Sequence, residues 1–123
     1  MSEATNENQL QRRIWKEVIR RWPNAWLFHP VGGPFQMPGV PDLLICAKGL
    51  LIGMEIKHVK PGESVDHARQ RATAQQRRQI RLINAAGGMA GVVVSVEEAV
   101  GMVERAFVKQ KVLIEEEMRE QRG

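Results

Sequence analysis

The 123-residue sequence holds no tyrosine, one cysteine, three tryptophans and three phenylalanines. So few aromatics argue against a ring-lined platform for single strands, and Trp15, Trp22 and Trp26 read as core or interface residues. Recognition of a partner by backbone and shape is the better expectation. The lone Cys46 excludes an intrachain disulfide and any all-cysteine zinc site. Set inside an apolar run, it reads as a small core residue in a reducing compartment. No apolar run is long enough to span a bilayer, so no membrane association is expected. The polar, acidic start MSEATNENQ does not fit a secretory signal, and a cytoplasmic location is expected. His29, His58 and His67 share no metal-ligand spacing on one element, so zinc is not expected. Each reads as ordinary, although His29 at a strand end could face a site.

What the chain does have is positive charge. The net charge is +4 and the sequence pI is about 9.7. That balance leans towards a polyanion such as nucleic acid, but serves solubility equally well. The distribution is more telling. From Lys57 to Arg81 seven cations (Lys57, Lys60, Arg69, Arg71, Arg77, Arg78 and Arg81) stand against Glu63 and Asp66. That excess exceeds the charge of the whole protein, and Lys60, Arg69, Arg71, Arg77 and Arg78 are candidate phosphate contacts. A solvated loop and helix face is the plain alternative. Arg12, Arg13, Lys16, Arg20 and Arg21 form a second cluster, whereas Glu115-Glu116-Glu117 is acidic and unsuited to DNA.

Length and hydrophobic content suit one domain over residues 1–123. Residues 1–8 read as a frayed polar end. Leu10, Ile14, Val18 and Trp22 recur at helical spacing until Pro23. Residues 24–30 fit a short strand and 31–41, rich in Gly and Pro, a loop. Residues 42–47 and 50–57 read as antiparallel strands around a Lys48-Gly49 turn. Residues 58–72 read as irregular, and Thr73 opens a helix that ends at Gly87-Gly88. A strand over 91–95 follows. Ser95-x-x-Glu98 then has the capping-box pattern of a helix start, and 108–123 continues as a charged helix. The fold class is α/β, a mixed central sheet flanked by helices.

The hairpin carries three charges in otherwise apolar strands. Glu55 and Lys57, two residues apart, leave one face of the sheet, while Leu50, Ile52, Met54 and Ile56 take the other. A two-residue turn at Lys48-Gly49 sets Asp42 opposite Glu55. Two facing carboxylates repel when both are ionised. A hard cation such as Mg²⁺ removes the conflict, and a lysine beside it can orient a water or neutralise phosphate charge. The alternative is a salt-bridged strand end.

Pro41-Asp42, then Glu55-Ile56-Lys57 thirteen positions on, resembles the PD-(D/E)xK nuclease pattern. The wider run over roughly 10–100 is similar to its VRR-NUC branch, found in stand-alone phage and bacterial nucleases and at the end of a eukaryotic DNA-repair nuclease. The similarity adds Glu17 on the first helix, the loop before Asp42, Thr73-Ala74-Gln75-Gln76, Ala85-Ala86-Gly87-Gly88, and the run from Val92 to Ala99. The resemblance implies a restriction-endonuclease-like core that hydrolyses DNA with Mg²⁺ or Mn²⁺. Asp42, Glu55, the Ile56 carbonyl and Glu17 would hold metal. Asp42, Glu55, Lys57 and Gln76 would be catalytic, although Thr73-x-x-Gln76 also fits a capping box. The proline usual before the Gln75-Gln76 pair is absent, and residues 58–72 have little counterpart.

The resemblance further implies a homodimer acting on branched or duplex DNA, such as Holliday junctions or flaps, in replication, recombination or repair. Its setting would be a bacterial or phage-infected cell. A catalytically silent nucleic-acid-binding module of the same fold is the alternative.

Overall fold

In the computed structural model, residues 4–34 and 36–123 are described. The elements run α1 (Glu7–Arg21), β1 (Trp26–Phe28), β2 (Leu43–Ala47), β3 (Leu50–Ile56), α2 (Val65–Gln70), α3 (Ala74–Ala85), β4 (Met89–Val93) and α4 (Val96–Arg122). The four strands form one mixed sheet in the order β1-β2-β3-β4. The first two pairings are antiparallel and β3–β4 is parallel. The expected α/β architecture, restriction-endonuclease-like with helices on a mixed sheet, is therefore present.

Period-two alternation decides which side of the sheet holds the core. Leu43, Ile45, Ile52, Met54 and Ile56 are fully buried on one face. They join Leu10, Ile14 and Val18 of α1 and Ala99, Met102, Val103 and Ala106 of α4 in a single cluster. The other face is covered by α3 over β3 and β4 only. A Cβ placed on Gly53 would lie 3.2 Å from Ile83 Cδ1, and Asn84 bonds both the N–H and the carbonyl of Ala90.

Local chemistry accounts for the boundaries. Asn6, Ser64, Thr73 and Ser95 each accept a bond from the backbone N–H three residues on, at the four helix starts. At Ser95 the expected reciprocal half of the box is displaced. Glu98 reaches the Val94 N–H instead, at 2.9 Å.

Several expectations are corrected. Glu7 and Asn8 are helical, and Ala4 packs against the core, so the polar start is tied down from there; residues 1–3 lie outside the described residues. The stretch 58–72 contains α2, a short helix with only Ala68 fully buried, too little apolar pattern to reveal it. The last strand begins at Met89 rather than 91, because its pairing with Ile52 starts there. β1 is shortened to three residues by the turn after Pro23.

Candidate metal centre on the β2–β3 hairpin

The Lys48-Gly49 turn has φ of 53° and 77°, the left-handed pair of a tight type I′ hairpin. It fixes the register Leu43↔Met54, which sets Asp42 at the level of Glu55. Asp42 is seated by what precedes it. Gly39, at φ 82°, packs so tightly on the first turn of α3 that a Cβ would lie 2.3 Å from the Gln75 carbonyl oxygen. Pro41 then lies over Gly53, where any side chain would meet its Cγ at 3.0 Å. The Asp42 Oδ2 accepts a bond of 2.9 Å from the Ile56 N–H. His29 Nδ1 is 2.8 Å from the Asp42 carbonyl oxygen.

Among the described residues Glu55 is the one charged residue in the fully buried set, 1% exposed. Its Oε1 is 3.5 Å from Lys57 Nζ. Its Oε2 is buried and, among the described residues, has no hydrogen-bond partner. Burial pushes the Glu55 carboxyl up to about 8, the Asp42 carboxylate adds to the rise, and Lys57 opposes it. The salt bridge read as the alternative in the sequence is thus present, but it leaves half of the carboxylate unsatisfied. A proton shared with Asp42 or a hard cation completes the site. Two adjacent carboxylates, Asp42 and Glu55, are a donor set that suits Mg²⁺ or Mn²⁺, with waters filling the rest. Among the described residues no set of three His, Cys, Asp or Glu side chains that could hold a metal ion comes together.

Two expected members of the site are held elsewhere. Glu17 binds Arg20 at 2.6 Å and Arg21 at 2.8 Å, and the bonds to them hold its carboxyl down at about 2. It lies in the half of α1 that leads to Trp22, which meets Phe107 edge-on near Lys48, at the turn end of the hairpin. Glu7, roughly 15 Å back along the helix, is at the carboxylate end, where it pairs with Arg71. Helical periodicity gave the face of Glu17 but not its level along the sheet. Gln76 completes the capping box: its Oε1 accepts from the Thr73 N–H at 2.8 Å. Its backbone N lies at the Gly39 contact.

The basic segment divides in the same way. Arg69 bonds the Val92 carbonyl oxygen and Glu98. Arg71 ties Glu63, Glu7 and the His58 carbonyl oxygen together, and Arg77 bonds the Gln70 carbonyl oxygen. These three brace α2 and its neighbours, through partners 7 to 64 residues away in sequence. Lys60 and Arg78 remain on the exposed surface. Sequence reasoning missed a groove where Arg12, Trp15 and Lys16 of α1 meet His29. The five basic residues of α1 were visible, but not that Arg12 and Lys16 line a groove with His29, whose ring reaches the Asp42 carbonyl oxygen.

No protein-family model matches the sequence, and no curated protein matches it. Among solved structures, one described as a "VRR_NUC domain" superposes with a TM-score of 0.59 at 20% identity, over 82% of this chain and 97% of the other. A second, described as a "VRR_NUC domain protein", gives 0.61 at 19% identity, over 85% and 90%. The likeness implied by the ordered motifs is therefore met in three dimensions, and the chain shares the fold of these VRR_NUC domain structures.

Proposed function

We propose that the protein is a metal-dependent DNA endonuclease. The observation that carries this reading is the buried Glu55 Oε2 without a partner, beside Asp42 and Lys57 on one hairpin. The Lys57 ion pair leaves this oxygen unsatisfied, and a hard cation shared with Asp42 would satisfy it. Asp42, Glu55 and the Ile56 carbonyl would hold Mg²⁺ or Mn²⁺, which supplies an acidified water and neutralises charge on a phosphate oxygen. Asp42 stays aligned through the Ile56 N–H. Lys57, 12% exposed, presents its ammonium at the mouth of the site, where it can orient the attacking water or the phosphate. Gln76, whose Oε1 is held in the cap of α3, would meet a bound phosphate only through its Nε2, and Glu17 is left out of the proposed ligand set. Among the described residues no helix is long and apolar enough to cross a membrane.

Branched DNA is the proposed substrate, cut by a homodimer whose two sites would address two strands. Exposed Val108, Val112, Leu113 and Ile114 on α4 are the proposed contact surface. The test is a labelled panel of single strand, duplex, flap, splayed arm and four-way junction with Mg²⁺ or Mn²⁺, beside EDTA and Lys57→Ala controls. The expected result is metal-dependent cutting lost in the variant. Binding without cutting in either metal would leave the silent nucleic-acid-binding module in its place.

A further inference from the structure

On the core side β1 contributes Leu27, but its other two side chains turn the opposite way. Trp26 is 56% exposed and Phe28 46% exposed. Their rings stack with centroids 5.7 Å apart and 16° between planes. By register, Phe28 pairs with Leu44 and Leu44 with Gly53. The next row along the same face, two residues on, is that of Asp42 and Glu55. α3 covers this face only over β3 and β4, so the aromatic pair lies open beside the carboxylates. Strand spacing and rise put Phe28 on the order of 10 Å from them. From Trp22 to Pro41 the chain has no Asp, Glu, Lys or Arg, so nothing on this segment repels a polyanion. His29, which follows Phe28, lines a groove with Arg12 and Lys16 on the α1 side of the sheet, away from the two rings.

We infer that Trp26 and Phe28 form a base-stacking subsite for unpaired nucleotides next to the cleaved phosphate. Exposed, preoriented rings accept any base face, and stacking is indifferent to sequence. Apolar ring faces continuous with the carboxylate centre, on a segment with no charged side chain, fit the bases of a nucleic-acid strand. The inference rests on the nuclease reading for the site beside it and narrows its substrate to strands unpaired near the cut.

The experiment measures binding without cleavage. Oligodeoxynucleotides carrying 2-aminopurine, single-stranded and as blunt duplex, are titrated with full-length protein in EDTA. Wild type, Trp26→Ala/Phe28→Ala and Trp26→Phe are compared, with circular dichroism and thermal melting to verify folding. The double variant should lose about tenfold or more in single-strand affinity, with duplex affinity within about twofold, and Trp26→Phe should retain most of the binding. An unchanged single-strand affinity, an equal loss on both substrates, or no binding of single strand by the wild type would overturn it. So would a dimer that becomes monomeric in the double variant with its strand preference intact. Cutting is assayed separately: stacking without cutting refutes the nuclease and keeps the subsite, and cutting with unchanged strand preference in the variant does the reverse.

Discussion

Two carboxylate–cation clusters sit at the same end of the sheet and are built to opposite rules. Around Arg71, Glu63 is satisfied by Arg71, the Lys60 N–H and His67, and these bonds, Arg71 foremost, hold its carboxyl down at about 2. Around Lys57, Glu55 is buried against another carboxylate with one oxygen unpartnered, and its carboxyl is pushed up to about 8. The first arrangement has nothing left to bind, and it fastens α1, α2 and the end of β3. The second is incomplete, and incompleteness in a buried charge is what marks a ligand or proton site.

The largest effect should come from breaking the incomplete cluster. Lys57→Ala or Asp42→Ala should lower metal-dependent cleavage by about a hundredfold or more in single-turnover assays, with melting little changed for Lys57→Ala. Next, Glu55→Gln should abolish cleavage and yet stabilise the metal-free protein at alkaline pH. The folded carboxyl keeps its proton to about 8 while the unfolded one loses it near 4.5. Between those values the unfolded chain binds fewer protons, so wild-type stability falls as pH rises, and the amide removes that slope. Melting scans across pH 5–9 would read it.

The satisfied cluster should respond with stability rather than catalysis. Arg71→Ala should lower the melting temperature by several degrees while cleavage per folded molecule stays within a few-fold. Its pH signature has the opposite sign. Glu63 has a depressed folded value, so its contribution is present above about 4.5 and is lost as pH falls towards 2. Acid melting of Arg71→Ala should be flatter across that window. The smallest effect belongs to Glu17→Gln: cleavage within about twofold of wild type, since its carboxylate is spent on Arg20 and Arg21.

The same contrast explains what could be read from the sequence. The hairpin was legible because its turn has only one two-residue solution, and period-two alternation then fixes who faces whom. The α3 start was legible because Thr73 and Gln76 act within one turn. That Arg71 is bonded to Glu7 and Glu63 was not legible, because these partners are 64 and 8 residues away and only the fold joins them. Glu17 was misread because a helical stripe carries no information about height along the sheet. Trp26 was read as core or interface, and its exposure was hidden because the sequence does not say that α3 stops short of β1.

The most direct test of the claim that Glu55 is an incomplete ligand is calorimetric titration of Mn²⁺ into wild type and Glu55→Gln, at pH 7 in two buffers of different ionisation enthalpy. The account predicts saturable binding to the wild type with release of about one proton, because the cation displaces the one Glu55 holds, and no binding to the variant. Equal binding to both proteins, or none to the wild type, would contradict it.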